Sequence, residues 1–222
     1  MAEILPGIHV VEGVDPSPEF TTHVYLVKDP GPTWTLIDTG LPGSDVAITK
    51  YLDEHKIPVG AIRSIVITHL HRDHVGGLRR MIERTKAKTY AHWIDAAFIE
   101  MKPKYDGPGS PPAEPVAVDE RLKDGDRIDV AGGLVAYHTP GHTPGHTSYY
   151  LADRKVLFSG DLFFGAGRDI QLTVPEFTHH TPSAQISARR VSALPVEALL
   201  TYHGGPYTTG GHGLMKRLVD RF

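Results

Sequence analysis

Residues 68–77 read Thr-His-Leu-His-Arg-Asp-His-Val-Gly-Gly, and His69, His71, Asp73 and His74 crowd four metal-capable side chains into six positions. The stretch follows "AIRSIVIT" (61–68), a continuous apolar run of the kind that forms a strand buried on both faces. Such a strand ends in a loop, and loops held by a rigid scaffold are where functional groups are presented. On extended backbone His69 and His71 point to the same side and can converge on one ion. Asp73 and His74 fall at the turn into the next helix and point elsewhere, which suits a second, adjacent ion. Three imidazoles buried together would repel one another if charged, so sharing a metal is the better use of them.

Four side chains cannot saturate two ions, so more donors are expected downstream. Three candidates each follow an apolar strand or a tight turn. His142 lies in "HTPGHTPGH" (138–146), where Pro140 and Gly141 force a turn; Asp161 ends "VLFSGD" (156–161); His203 ends "ALLTYH" (198–203). Cysteine is absent, so any metal must be held by imidazole and carboxylate, a set that suits Zn, Fe or Mn without choosing among them.

The pattern His-x-His-x-Asp-His followed by His, Asp and His resembles the signature of the metallo-β-lactamase-fold superfamily of metallohydrolases. All seven members have a match here: His69, His71, Asp73, His74, His142, Asp161 and His203, while Asp38 in "LIDTG" (36–40) matches the family's first motif. The resemblance covers about residues 8–212. It implies an α/β fold, a four-layer αββα sandwich of two mixed sheets flanked by helices, with the metals at one edge and a single domain over 1–222. By the same resemblance His69, His71 and His142 would bind one divalent ion. Asp73, His74 and His203 would bind a second, with Asp161 bridging and Asp38 orienting ligands from behind. Zinc is the first expectation for both ions, with iron or manganese as alternatives.

The rest of the chain agrees with that plan. Strands are expected at 8–13, 23–28 and 34–38. A helix follows in "GSDVAITKYLDEHK" (43–56), capped by Ser44, with Ile48, Tyr51 and Leu52 on one face. Val75, Leu78 and Ile82 mark another helix, "TYAH" (89–92) a strand, and 94–102 a short helix. "PKYDGPGSPPAEPV" (103–116) reads as a surface loop. The second half should hold hairpin strands around 127–138, strands at 147–151, 155–159 and 196–202, and helices at 183–194 and 213–222. Leu214, Leu218 and Phe222 share a face of the last helix. "TLIDTG" and "VLFSGD" are similar enough to suggest an internal duplication. His23, His92, His138, His146 and His212 match no ligand position and are expected to be structural. The segment 162–182, "LFFGAGRDIQLTVPEFTHHTP", reads as a long irregular pocket wall, which makes Phe164, Arg168, Phe177, His179 and His180 candidate substrate contacts.

Net charge is −3 with 22% charged and 40% hydrophobic residues, so nothing points to nucleic acid or an anionic membrane. The N-terminal "MAEILPGIHV" lacks a basic stretch followed by an apolar one, and a cytoplasmic location is expected. The expected partner is a small-molecule substrate, and a homodimer is left open. Absence of Asn and Cys, together with 18 prolines, fits a thermophilic source.

Two metals about 4 Å apart can share a hydroxide, so the expected activity is metal-dependent hydrolysis of an ester, lactone or phosphoester, with Asp73 catalytic beside the nucleophile. No Gly-x-Ser-x-Gly elbow competes for that role. Two alternatives come from the same family. A glyoxalase-II-like thioesterase resembles a branch with a helical C-terminal extension, whereas only 204–222 follow His203 here. A mononuclear iron persulfide dioxygenase would need only His69, His142 and Asp161, and the presence of the second set favours the hydrolase.

Overall fold

The computed structural model describes residues 3–11 and 22–222. A first sheet runs β1 (Glu3–Leu5), β2 (Ile8–Val11), β3 (Val24–Lys28), β4 (Trp34–Ile37), β5 (Ile62–Val66), β6 (Lys88–His92) and β7 (Glu120–Leu122), in that spatial order. Pairing is antiparallel from β1 to β4 and parallel from β4 to β7. A second sheet contains β8 (Arg127–Ile128), β9 (Leu134–His138), β10 (Thr147–Leu151) and β11 (Val156–Gly160). After a separate hairpin of β12 (Phe163–Ala166) and β13 (Asp169–Leu172), β14 (Ala198–Thr201) joins beside β11 to give the order β14-β11-β10-β9-β8. Positions 12–13 of the first expected strand lie outside the described residues.

The helices are α1 (Ser44–Glu54), α2 (Arg72–Val75), α3 (Leu78–Thr85), α4 (Trp93–Ile99), α5 (Thr181–Val191) and α6 (Gly211–Val219). Three apolar cores show how they layer. Ile48, Leu52, Leu78, Met81 and Ile99 pack on Leu26, Leu36 and Ile65 of the first sheet. Tyr25, Val27, Ile37 and Val66 meet Leu134, Tyr149, Phe158 and Leu200 between the sheets. Ala184, Ala188, Val191, Leu214, Met215 and Leu218 cover Leu157 and Leu199 of the second sheet, with Phe222 packed against them. The result is the αββα sandwich. In β5, successive residues Ile65 and Val66 feed different cores, which is why the run had no polar alternation. No helix among the described residues is long and apolar enough to cross a membrane.

Four expectations are corrected. Ser44 is the first residue of α1 rather than its cap; Gly43, with φ 93, takes the cap position and no side chain bonds there. Val75, Leu78 and Ile82 do not share one helix, because Gly76 and Gly77 separate α2 from α3. A Cβ on Gly76 would sit 2.3 Å from the Pro42 ring, and one on Gly77 would sit 2.4 Å from Thr39 O, so the break is set by close approach to the 38–42 turn. The segment 162–182 is not irregular: Phe163 pairs with Leu172 and Ala166 with Asp169 in a hairpin turned at Gly167. The loop 103–116 is irregular but does not stay at the surface. Ser110 O accepts from Arg72 N, tying the loop to the start of α2.

"TLIDTG" and "VLFSGD" occupy matching places. β4 and β11 each have an antiparallel neighbour on one side and a parallel one on the other, and each delivers an aspartate at its C-terminal end. Such ends of open sheets are where sites form.

Candidate metal centre

Past β5 the chain bends at Thr68 and Leu70, and His71, with ψ 149, leads into α2. That short path places His69, His71, Asp73 and His74 at the edge where β11 and β14 deliver Asp161 and His203. The turn 140–145 adds His142. Their donor atoms form two groups, His69/His71/His142 and Asp73/His74/Asp161/His203, each with all donors within 4.8 Å of one another.

In the first group His69 Nε2 lies 3.1 Å from His71 Nδ1, which lies 2.9 Å from His142 Nε2. Tetrahedral ligands at about 2.0–2.1 Å from a zinc ion sit roughly 3.3 Å apart, so these nitrogens are spaced as a coordination face. The opposite nitrogen of each ring is held. Thr68 Oγ1 is 3.1 Å from His69 Nδ1, Thr173 Oγ1 is 2.7 Å from His142 Nδ1, and Pro108 O is 3.1 Å from His71 Nε2. A carbonyl can only accept, so His71 carries its proton on Nε2 and leaves Nδ1 as a lone-pair donor.

In the second group Asp73 Oδ2 is 3.3 Å and Asp161 Oδ2 is 3.4 Å from His203 Nε2. His74 Nε2 and Asp161 Oδ1 lie 3.2 Å apart, yet neither completes a hydrogen bond, as expected for two donors gathered around a third centre. Asp161 Oδ2 is also 3.5 Å from His142 Nε2, which puts this carboxylate between the groups. Behind His74 stands Asp38. Its Oδ2 meets His74 Nδ1 at 2.8 Å, and its oxygens accept from Thr68 N and Thr68 Oγ1 at 2.8 and 2.7 Å. Asp38 holds φ 59, a left-handed conformation that aspartate tolerates better than most residues, and this aims the carboxylate back under the loop. The donor chemistry and the tied outer nitrogens fit two bound ions.

The two groups differ electrostatically. Burial, reinforced by the neighbouring imidazoles, holds His69 and His142 well below the ordinary histidine pKa, so both rings are neutral. Burial also disfavours charge on His203 and His74, but Asp161 and Asp73 outweigh it, aided at His74 by Asp38. His203 is pushed up to about 9 and His74 well above its ordinary value. The second group thus keeps protons where an ion would place positive charge.

Several supporting residues carried no sequence signal of their own. Asp95 on α4 accepts from Leu70 N at 3.0 Å, Thr143 Oγ1 at 2.6 Å and Gly145 N at 2.7 Å, so one carboxylate joins the His69/His71 strand to the His142 turn. Burial raises its pKa to about 6 against those three hydrogen bonds. His146 belongs to neither group; its Nε2 accepts from Asp161 N at 3.1 Å, and burial lowers its pKa to about 3. Gly165 N donates to His203 O at 2.8 Å, while the Phe164 ring stacks on the His203 imidazole at 4.8 Å. The hairpin is therefore the shelf on which His203 rests.

A cavity of about 510 Å³ opens over both groups, lined by His71, Asp73, His142, Asp161 and His203 and walled by Leu41, Pro42, Phe164, Val174 and Phe177. Of the expected substrate contacts, Phe164 and Phe177 line it. Arg168, His179 and His180 do not: Arg168 is exposed at the tip of the hairpin, and the two histidines turn their side chains to solvent. His179 N and His180 N instead donate to His142 O and Gly141 O, so their main chains brace the ligand turn.

Residues 17–203 match the family model described as the metallo-beta-lactamase superfamily. The chain is 28% identical to the "probable metallo-hydrolase YflN" of Bacillus subtilis, over 91% of this chain and 88% of that one. It is 32% identical to a hydroxyacylglutathione hydrolase of Pseudomonas entomophila, over 88% of this chain but 66% of that protein. Among solved structures, a metallo-beta-lactamase mutant from Cronobacter sakazakii superposes with a TM-score of 0.72 at 28% identity, covering 91% of this chain and 79% of that one. A beta-lactamase from Chitinophaga pinensis gives a TM-score of 0.74 at 23% identity, over 97% and 88%, which speaks to fold alone.

Proposed function

The chain belongs to the metallo-β-lactamase superfamily, and from that premise we propose that it is a two-metal hydrolase of a small-molecule ester, lactone or phosphoester. One observation carries the reading: five imidazoles and two carboxylates gather into adjacent groups, and Asp161 lies within 3.5 Å of imidazole nitrogens from both. A closed structural site would surround its ion with protein; these donors face a cavity, as a catalytic site requires. Two bound divalent ions would supply Lewis acidity for the scissile carbonyl or phosphoryl group and acidify a water toward neutral pKa.

The chain's own residues supply the rest. His69, His71 and His142 fix one ion through three neutral rings. Asp73 is the partly exposed carboxylate of the second group, 26% accessible at its side chain, so its Oδ2 can reach both an ion and the proton of an attacking water. Tyr202 donates its hydroxyl to Asp73 O and holds the backbone that aims this group. Thioesters form the next class to test, since relatives named hydroxyacylglutathione hydrolase and thioesterase share the family.

The deciding experiment is elemental analysis of purified protein alongside a panel of esters, lactones, phosphoesters and thioesters. Nearly two ions per chain with metal-dependent turnover is expected. One iron per chain with oxygen uptake on a persulfide would replace the reading with a mononuclear dioxygenase.

A further inference from the structure

The wall of the cavity is chemically lopsided. Leu41, Pro42, Phe164, Val174 and Phe177 make one side apolar, and Phe177 leaves half its surface in water, 50%, at the mouth. Apart from the metal-ligand histidines and carboxylates, the lining carries a single charged residue, Arg72, between His71 and Asp73 at the start of α2. Its main chain is fixed by the bond from Arg72 N to Ser110 O, so the root of the side chain is held beside the two donor groups.

Its guanidinium is not used by the fold. Other arginines are committed: Arg79 to Glu114, Arg84 to Asp45, Arg121 to Glu100 and Arg190 to Asp124. Arg72 has no ion pair and no side-chain hydrogen bond among the described residues, and it is an exposed residue of the cavity lining. A flexible, strongly hydrated lysine would serve general attraction; a planar fork of donors matches one oxyanion held in two parallel bonds.

Building on the hydrolase reading, we propose that Arg72 is a subsite for one carboxylate of the substrate, so that the preferred substrate is an ester or lactone with an apolar body and a single carboxylate end. The apolar body lies along Phe164 and Phe177, the scissile carbonyl sits over the two metal groups, and the carboxylate reaches Arg72. A substrate with several separated charges, such as a glutathione conjugate, would leave charges facing Leu41, Pro42 and Val174 with no partner, and desolvating them is costly.

Two probes of equal chain length test this on the metal-loaded protein: mono-4-nitrophenyl glutarate and 4-nitrophenyl pentanoate, with Arg72→Gln and Arg72→Glu. The native protein should favour the glutarate in kcat/KM. Arg72→Gln should cut that preference by about ten-fold or more, chiefly through KM, as loss of a charge-assisted pair predicts, and Arg72→Glu should invert it. A binding readout does not depend on turnover: the affinity of 4-phenylbutyrate should fall by a similar factor in Arg72→Gln. If the glutarate preference and the 4-phenylbutyrate affinity stay within two-fold of native in Arg72→Gln, the metals alone hold the carboxylate and the subsite is refuted. Loss of 4-phenylbutyrate affinity in a protein that turns over neither ester would instead keep the subsite and remove the esterase reading.

Discussion

Gly109 offers a test of how the first metal group is held. It adopts φ +87, and a Cβ there would lie 2.4 Å from His71 Nε2 and 2.5 Å from His71 Cε1. Gly132 has the same φ of +87 and nothing within 4 Å, so it is a matched control. Alanine at either position costs the strain of a left-handed backbone, of order 1–3 kcal/mol, and Gly132→Ala measures that cost by itself. Only Gly109→Ala also collides with a ligand. Carbon and nitrogen rest near 3.5 Å or beyond, so the imidazole must move by roughly 1 Å, twice the tolerance of a working site. That movement breaks the bond from His71 Nε2 to Pro108 O and carries Nδ1 away from His69 and His142.

The expected loss in affinity at the three-histidine group is about 10–100-fold, the usual effect of removing a ligand's outer partner, or roughly 1.4–2.8 kcal/mol. Competition against a chromophoric chelator, run on Gly109→Ala and Gly132→Ala side by side, reads it directly. If Gly109→Ala binds metal within two-fold of Gly132→Ala, the 103–116 loop yields to the ring, and His71 is not positioned by it.

Other perturbations separate the remaining roles. Asp73→Asn keeps size and one oxygen but removes the charge, so under saturating metal kcat should fall by ~10²–10⁴-fold with a smaller change in KM; a kcat within a few-fold of native would end the proton-accepting role. Metal uptake should be proton-linked unequally: His203, raised to about 9, and His74 must release protons at pH 7, whereas His69 and His142 are already neutral. The second equivalent should thus release at least one more proton than the first and bind more tightly as pH rises toward 9, measured by calorimetry in buffers of different ionisation enthalpy; equal release would contradict it. Asp95→Asn must turn an amide N–H toward one of two fixed backbone donors, Leu70 N or Gly145 N, at a cost of about 1–3 kcal/mol. Because Asp95 is raised from 3.8 to about 6, its unfolded form loses the proton first, and native stability declines as pH climbs through that window and levels above it. The native-minus-variant difference in denaturant unfolding of metal-free protein should therefore shrink by roughly 2 kcal/mol between pH 4 and 7, and a flat difference would refute the assignment.

What the sequence made legible was whatever a local rule constrains. His69, His71 and Asp73 are bound to one another by spacing, and His142, Asp161 and His203 each stand at the end of a strand or turn that its own residues define. Thr173 at His142, Asp95 at Leu70 and Gly145, and Pro108 at His71 answer to no such rule, because their meaning comes from approaches across 25 to 50 positions of chain. The hairpin at 163–172 shows the same limit from the other side. The segment read as an irregular wall, yet it pairs as a hairpin, and a Cβ on Gly165 would lie 2.2 Å from Gly204 O, so the missing side chain serves contact rather than freedom. Gly109 against His71, Gly145 against Asp95 and Gly77 against Thr39 repeat that geometry around the metal groups. In this chain glycine near the site marks where two loops must touch, and the loops it brings together are those that carry or brace the ligands. The centre's precision thus depends as much on absent side chains as on the histidines, which is why Gly109 is a sharper probe of it than deletion of any ligand.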